Sequence, residues 1–278
     1  MSSNTKSVAL STGVTLPYVE QGEASGAPVL LLHGYADSLR FFDLLLPHLP
    51  EFVHAFAFTQ RGHGDADRPP DGYRQEDFAA DVAAFMDAVG LDAAVIAGQS
   101  SGGYTAQRFA IDHPERTLGL VLIGAPRDFR DKPASLMRTL SELTDPIDPQ
   151  FVRAFAESTI TQPVPPAYLD MLVAECCKVP TRVWKATLEG LMEADIPTES
   201  GAIRAPTLIL WGDQDQFCSR SEQEAMAKAI AGAELVVYHG TGHAVACEQP
   251  ARTAADLAAF ARRVAISAAA SSRSQGSA

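Results

Sequence analysis

The feature that most constrains the fold of this chain is an alternation of short apolar runs with longer amphipathic segments. Parallel strands joined by crossover helices produce this pattern, because such strands are buried on both faces while each helix buries only one. A turn residue follows each run, as expected where a strand ends. Six parallel-type strands are predicted, at residues 28–33, 53–58, 93–98, 118–124, 206–212 and 234–239.

The first two strand candidates form a different unit. Residues 7–10 and 14–19 flank the turn sequence Ser11, Thr12 and Gly13, which predicts an antiparallel hairpin that leads into the sheet. Helical spacing of apolar residues across 77–89 predicts a helix that covers the sheet. The predicted fold class is therefore α/β, with an eight-stranded, mostly parallel sheet and helices on both faces.

The alternation stops between residues 127 and 204. No convincing strand is visible there, and prolines break several short helical patterns. We therefore predict a helical cap at 127–204, inserted between a first core part at 1–126 and a second core part at 205–266. Ligands of open α/β sheets bind at the carboxyl ends of the strands, where a cap would close a pocket. Residues 267–278 are mostly Ser and Ala and are predicted to be a disordered tail.

Charge and cysteine usage limit the partners. The net charge of −12, from 34 acidic and 22 basic residues, opposes binding to a phosphate backbone, so nucleic acid is not an expected partner. Neither a secretory signal nor an apolar run of membrane-spanning length is visible, so we expect a cytoplasmic protein without a membrane partner. The four cysteines lack metal-ligand spacing and are interpreted as reduced thiols. These residues do not indicate an oligomeric state.

The chemistry is concentrated in the run Gly98, Gln99, Ser100, Ser101, Gly102. This G-x-S-x-G pattern, between a predicted strand and a predicted helix, is that of a nucleophile elbow. The glycines are needed because neighbouring backbone passes close to both positions. The alternative interpretation is a serine-rich helix start, in which Ser100 or Ser101 only caps the helix.

A serine hydroxyl becomes a good nucleophile when an imidazole takes its proton and a third group orients that imidazole. Strand 206–212 ends in a turn that carries Asp213 and Asp215, and the next strand ends shortly before His243. The interval between Asp215 and His243 fits one helix and one strand, which would place both side chains at the same sheet edge as Ser100. The order Ser, Asp, His is also that of this kind of fold.

Over nearly its whole length the chain resembles the α/β-hydrolase superfamily, in the group with an inserted cap. Besides the elbow, the resemblance rests on the following motifs: His33-Gly34, Arg61-Gly62-His63-Gly64, the turn from Gly212 to Asp215, and His243 followed by Glu248 and Pro250. It implies that Asp215, the second aspartate of its turn, orients His243, with an exchange of roles with Asp213 as the alternative. It also implies a backbone oxyanion hole at Tyr35 and Ser101, and no cofactor or metal.

Three side chains near the expected site are candidate substrate contacts: His33, Gln99 and Trp184. Gln99 occupies a position where histidine is common in the resembling families. Cys218 and Cys247 flank the proposed acid and base in sequence, so modification of either thiol is expected to slow the reaction.

Three functional hypotheses follow. The first is hydrolysis of a small-molecule ester or lactone, and residues 16–73 are similar to serine esterases that open macrolide lactones. The second uses the same three residues for hydrolysis of a carbon–carbon bond or for metal-free perhydrolysis, as in haloperoxidases. The third is a ligand-binding signalling protein that retains the triad. Epoxide hydrolases and haloalkane dehalogenases resemble the chain in layout, but they carry a carboxylate where this chain has Ser100.

Overall fold

The computed structural model describes residues 5–129, 138–140, 142–194 and 201–275. The described residues form one eight-stranded sheet in the order β1-β2-β4-β3-β5-β6-β7-β8. The strands are β1 (Lys6–Ala9), β2 (Thr15–Gln21), β3 (Ala27–Leu32), β4 (Val53–Phe58), β5 (Ala94–Gln99), β6 (Thr117–Ile123), β7 (Thr207–Gly212) and β8 (Glu234–Tyr238). Only the β1–β2 and β2–β4 pairs are antiparallel. The predicted fold class, including the initial hairpin, is confirmed.

Alternate residues of the central strands face opposite sides of the sheet, and both sides are packed. On one side, Val29 and Leu31 of β3 belong to a core cluster that includes Leu257 and Phe260. On the other side, Leu30 belongs to a second cluster that includes residues of three helices. The α-helices of the described chain, in chain order, are α1 (Gln75–Val89), α2 (Ser101–Asp112), α3 (Pro149–Ser158), α4 (Pro166–Cys177), α5 (Thr181–Glu193), α6 (Arg220–Ala229), α7 (Val245–Glu248) and α8 (Pro250–Gln275). The three helices of the second cluster are α1, α2 and α6.

Helices α3, α4 and α5 lie between β6 and β7 in the chain, inside the segment predicted as a cap. We call them the inserted helices. They share a third core cluster, which includes Val152, Val173 and Trp184, with Tyr73 and Phe78 from the first part of the chain. The predicted cap segment also includes 130–137, 141 and 195–200, which lie outside the described residues.

The end of the chain differs from the sequence prediction. Helix α8 continues to Gln275 and so includes residues 267–275 of the predicted tail, while 276–278 lie outside the described residues. Alanine has the highest helix propensity, and extending an existing helix needs no new nucleus. The Ala and Ser composition predicts little burial, whereas helix propensity alone favours extension of an existing helix.

Candidate active site

Ser100 lies at a sharp turn between β5 and α2, with φ 52° and ψ −123°. The two glycines of the motif permit this turn. A Cβ atom on Gly98 would lie 2.2 Å from the Gly102 carbonyl oxygen, and one on Gly102 would lie 2.4 Å from the His33 carbonyl oxygen. The strained backbone presents the Ser100 side chain at the carboxyl edge of the sheet, as in a nucleophile elbow.

The three predicted triad side chains are in contact. His243 Nδ1 lies 2.9 Å from Asp215 Oδ2, and His243 Nε2 lies 2.8 Å from Ser100 Oγ. Because a carboxylate only accepts hydrogen bonds, Nδ1–H donates to Asp215, and Nε2 accepts the hydroxyl proton of Ser100. This tautomer is the one that a general base for a serine requires.

Asp215 is held by backbone as well as by the imidazole. Its Oδ1 accepts the N–H groups of Phe217 at 2.7 Å and Cys218 at 3.0 Å, and its side chain is fully buried. These donors leave Oδ2 directed at His243. The other aspartate of the turn, Asp213, instead contacts Nδ1 of the exposed His239 at 2.8 Å. The structure therefore places Asp215, and not Asp213, against His243.

The turn after β3 packs against the elbow. A Cβ atom on Gly34 would lie 3.3 Å from Cβ of Ser100, so the next residue, Tyr35, borders the nucleophile. Ser101 is the first residue of α2, and its N–H therefore has no acceptor one turn earlier in the helix. Tyr35 and Ser101, whose backbone N–H groups form the predicted oxyanion hole, thus lie next to Ser100.

A two-lobed pocket opens at Ser100 and His243. Tyr35, Phe155 and Thr159 line both lobes together with that pair. The apolar lobe, of about 560 Å³ and partly open to solvent, is completed mainly by Pro126, Phe129, Leu140, Leu188 and Phe217. The Asp37 lobe, of about 500 Å³ and also partly open, is completed mainly by Asp37, Phe41, Gln99, Ile160, Leu172 and Cys176. The sheet edge forms the floor of this pocket, and the inserted helices form much of its wall.

His33 does not lie in this pocket. Its ring is fully buried, Nδ1 donates to the Gly34 carbonyl at 2.9 Å, and Nε2 accepts the Gln60 backbone N–H at 2.9 Å. Burial, assisted by neighbouring His63, lowers the pKa of His33 to about 3. The ring is therefore neutral and fixes the turn that carries Tyr35. This geometry contradicts the predicted contact of His33 with substrate.

Gln99 and Trp184 differ in their distance from the pocket. Gln99 lines the Asp37 lobe and donates its amide N–H to the His243 carbonyl at 2.9 Å. Trp184 lies one layer behind the wall, because its ring packs on Tyr35 and Phe155, at 5.1 and 5.6 Å between centroids. Its carbonyl accepts the Tyr35 hydroxyl. Trp184 therefore supports pocket residues rather than lining either lobe.

Cys218 and Cys247 differ in their position relative to the pocket, and Cys218 also belongs to a group of side chains that could bind a metal ion. Cys218 lines the apolar lobe, whereas Cys247 is buried in the core. Ligand atoms of Asp215, Cys218 and His243 lie within 4.8 Å of one another. A metal ion there would have to displace the hydrogen bonds that His243 forms with Asp215 or Ser100. The observed pairing suits proton transfer better than metal ligation.

Sequence reasoning missed a carboxyl group of the pocket, that of Asp37. Asp37 follows the His-Gly motif by three residues and lines the Asp37 lobe beside Ser100. The sequence places this acidic residue near the expected oxyanion turn, but it does not indicate whether the side chain turns into the pocket.

The fold and the site define a class of protein, and a family comparison agrees with it. Residues 27–176 match the family described as alpha/beta hydrolase fold, and the chain belongs to this family. It is therefore a hydrolase-family protein whose serine, histidine and aspartate are brought together at the strand ends.

Individual relatives cover nearly the whole chain. Lipase 1 of Psychrobacter immobilis is 25% identical, over 92% of this chain and 83% of its own length. A non-heme chloroperoxidase of Streptomyces lividans is 27% identical, over 91% of this chain and 98% of its own. The solved structure of esterase RhEst1 from Rhodococcus superposes with a TM-score of 0.81 at 26% identity, over 94% and 99% of the two chains. Within the described residues, no helix combines the length and the apolarity needed to cross a membrane.

Proposed function

We propose that this protein hydrolyses carboxylic esters through an acyl-enzyme on Ser100. The observation that carries the proposal is the hydrogen-bond chain from Ser100 through His243 to the buried Asp215, at the floor of a largely apolar pocket. Lipases and esterases among the relatives agree with an ester substrate. The partner is a small molecule, and the chemistry requires neither cofactor nor metal.

In the first half-reaction, Ser100 Oγ attacks the ester carbonyl while His243 Nε2 takes the hydroxyl proton. The backbone N–H groups of Tyr35 and Ser101 stabilise the oxyanion, each by about 3–4 kcal/mol in sites of this kind. Asp215 stabilises the imidazolium that forms. His243 then gives the proton to the leaving alcohol, and the acyl group remains on Ser100.

In the second half-reaction, water attacks the acyl-enzyme. His243 removes a proton from the water and returns it to Ser100 Oγ as the acid leaves. The inserted helices act as a cap, because Phe155, Thr159 and Leu188 form pocket wall over the reacting groups. A lactone would follow the same steps, with both products remaining joined in one hydroxy acid, and macrolide lactones are the largest candidates in this class. The cytoplasmic location of the protein remains a prediction.

The test is hydrolysis of p-nitrophenyl esters and of lactones, including a macrolide, by wild type and by Ser100→Ala purified in the same way. We expect kcat/KM for aryl esters to fall by about 10⁴-fold or more in the variant, because the nucleophile is lost. Equal activity in both preparations would point to a contaminant. No hydrolysis of any ester by wild type would contradict the proposal.

A second reaction has a specific basis in the relatives. The chloroperoxidase of Streptomyces lividans shares 27% identity, and a non-heme haloperoxidase of Rhodococcus erythropolis shares 28%. Attack on the acyl-enzyme by hydrogen peroxide instead of water would form a peracid with the same residues. This second reaction would be favoured if peracid forms from acetate esters and peroxide faster than the same esters are hydrolysed.

Two further hypotheses are separated by the same assays. A relative named 2-hydroxy-6-oxononadienedioate/2-hydroxy-6-oxononatrienedioate hydrolase 1, at 28% identity over 62% of this chain, motivates testing carbon–carbon cleavage of a diketone. Very slow turnover with tight retention of a ligand would instead favour a binding protein that signals through its cap.

A further inference from the structure

Asp37 brings a carboxyl group into the pocket beside the nucleophile. It lies in the turn that also carries Tyr35, and a Cβ atom on Gly34 would be 3.2 Å from Asp37 Oδ2 and 3.3 Å from Cβ of Ser100. The side chain lines the Asp37 lobe together with Ser100 and His243. The carboxyl group is therefore close to any substrate that reaches Ser100 through this lobe.

The carboxyl group has little support from the protein. Its hydrogen-bond donor within the described residues is the thiol of Cys176, with Sγ 3.8 Å from Oδ1, and a thiol is a weak donor. No lysine or arginine of the described chain pairs with it. The titratable groups around it are His243, Cys176, Tyr168 and Cys247. Burial raises the pKa of Asp37 to about 7, although His243 and the Cys176 thiol act in the opposite direction.

Asp37 is half-buried, and a carboxyl group without strong partners in such a place is destabilising. Groups of this kind are concentrated at functional sites. Most other side chains that complete this lobe are apolar, among them Phe41, Ile160 and Leu172. Pockets of this kind use a few placed polar groups to orient a ligand. The apolar lobe has no comparable group among its described lining residues. The two lobes therefore differ in the chemistry that they can recognise.

We propose that Asp37 is a specificity-determining residue that binds a hydroxyl group on the part of the ester substrate that enters the Asp37 lobe. This inference rests on the proposed ester hydrolysis. The other part of the substrate, in the apolar lobe, is unsubstituted hydrocarbon. The preferred substrates are thus hydroxy esters, with one polar and one apolar side of the scissile bond.

A hydroxyl group fits this environment better than an ammonium group. It both donates and accepts, so it pairs with Asp37 in either protonation state, whereas an ammonium group only donates. Moving a hydroxyl group into an apolar lobe also costs much less than moving a charged group.

The test uses two pairs of esters in which a methyl group replaces a hydroxyl group. Phenyl β-hydroxybutyrate and phenyl isovalerate place the difference in the acyl part. Ethylene glycol monobutyrate and propyl butyrate place it in the alcohol part. Wild type, Asp37→Leu and Asp37→Ala are compared, since both variants remove the acceptor and differ in volume.

We expect wild type to prefer the hydroxy member of one pair by about tenfold or more in kcat/KM, which is the effect of one hydrogen bond to a charged group. Both variants should lose this preference while they still hydrolyse the methyl esters. Equal rates within both pairs for wild type, or a preference that persists in either variant, would overturn the proposal. If Ser100-dependent hydrolysis of every ester is absent, the proposed function itself fails. If the esters are hydrolysed without any preference for a hydroxyl group, only the proposed role of Asp37 is contradicted.

Discussion

At the scale of single residues, one short turn separates two aspartates by their environment. Asp215 is fully buried, receives two backbone N–H groups and contacts His243. Asp213 contacts the exposed His239, and its other oxygen accepts the Gly240 N–H. Only a carboxylate in the first environment can stabilise an imidazolium at the nucleophile. The two positions therefore form a matched pair for testing the triad.

We expect Asp215→Asn to lower kcat by about 10³–10⁴-fold, because an amide cannot hold His243 in the tautomer that accepts from Ser100. Asp213→Asn keeps the volume, changes the contacts with His239 and with the Gly240 N–H but none with His243, and should leave kcat within about twofold of wild type. Steady-state kinetics of both variants with one aryl ester show which aspartate orients His243. A larger loss in Asp213→Asn than in Asp215→Asn would mean that the roles are exchanged.

The triad could be predicted from sequence because local rules dictate it. Glycines two positions either side of Ser100 indicate the elbow, and chain order brings Asp215 and His243 to the same edge. Side-chain direction within a turn has no such local rule. Asp37 was therefore missed, and His33 was wrongly expected to contact substrate although its ring turns into the protein.

At the scale of elements, the strands were predictable to within one or two residues at most ends, because fully buried strands are continuous apolar runs. Helical spacing was less informative. It identifies a buried face on α5, but it does not say that Leu188 lines the pocket while Trp184 lies behind the wall. The last turns of α8 were not predicted, although their Ala-rich sequence has a high helix propensity.

Glu248, at the end of α7, joins two elements that the sequence places far apart. Its Oε2 accepts the backbone N–H groups of Thr161 at 3.1 Å, Gln162 at 2.7 Å and Gly242 at 3.0 Å. The first two follow α3, and the third precedes His243. This buried carboxylate therefore holds the end of an inserted helix against the loop that carries the proposed base.

We expect Glu248→Ala to lower the free energy of unfolding by about 2–4 kcal/mol, because three backbone donors lose a charged acceptor in a buried site. Glu157→Ala, on the exposed face of α3, is the control and should change it by less than about 0.5 kcal/mol. Urea denaturation monitored by tryptophan fluorescence measures both. Equal stability of the two variants would mean that the connection contributes little.

At the scale of the whole molecule, two buried imidazoles oppose folding in acid. The rings of His33 and His63 lie 5.2 Å apart, and burial lowers their pKa values to about 3 and about 4. In the unfolded chain an imidazole titrates near about 6.5. Between these values the two imidazoles bind more protons in the unfolded chain than in the folded protein, so their contribution to stability is full above about pH 6.5 and is lost as the pH falls.

The contribution of the two histidines to the free energy of unfolding should therefore be lower at about pH 5.5 than at about pH 7.5, by about 1 kcal/mol for each. The raised pKa of Asp37 acts in the opposite direction over the same range, so the histidine contribution is measured by comparing variants that all retain Asp37. Relative to wild type, His63→Gln should gain about 1 kcal/mol of stability at the lower pH compared with the higher pH, because a glutamine amide does not titrate and can still donate to the Arg61 carbonyl. His48→Gln, at an exposed position, should retain the wild-type difference. Urea titrations at the two pH values supply the measurement, and an unchanged difference in His63→Gln would contradict the assignment.

The attachment of Thr161 and Gln162 to Glu248 also sets a rule for exchanging parts between relatives. A chimera that replaces all the inserted helices by those of another hydrolase, with its second junction immediately before β7, would lose this attachment. Thr161 and Gln162 follow α3 and are hydrogen-bonded to Glu248, which also binds Gly242 next to His243. A junction that replaces only α4 and α5 keeps that attachment and changes the pocket wall. Substrate range and the proton-transfer machinery can then be varied separately within one molecule.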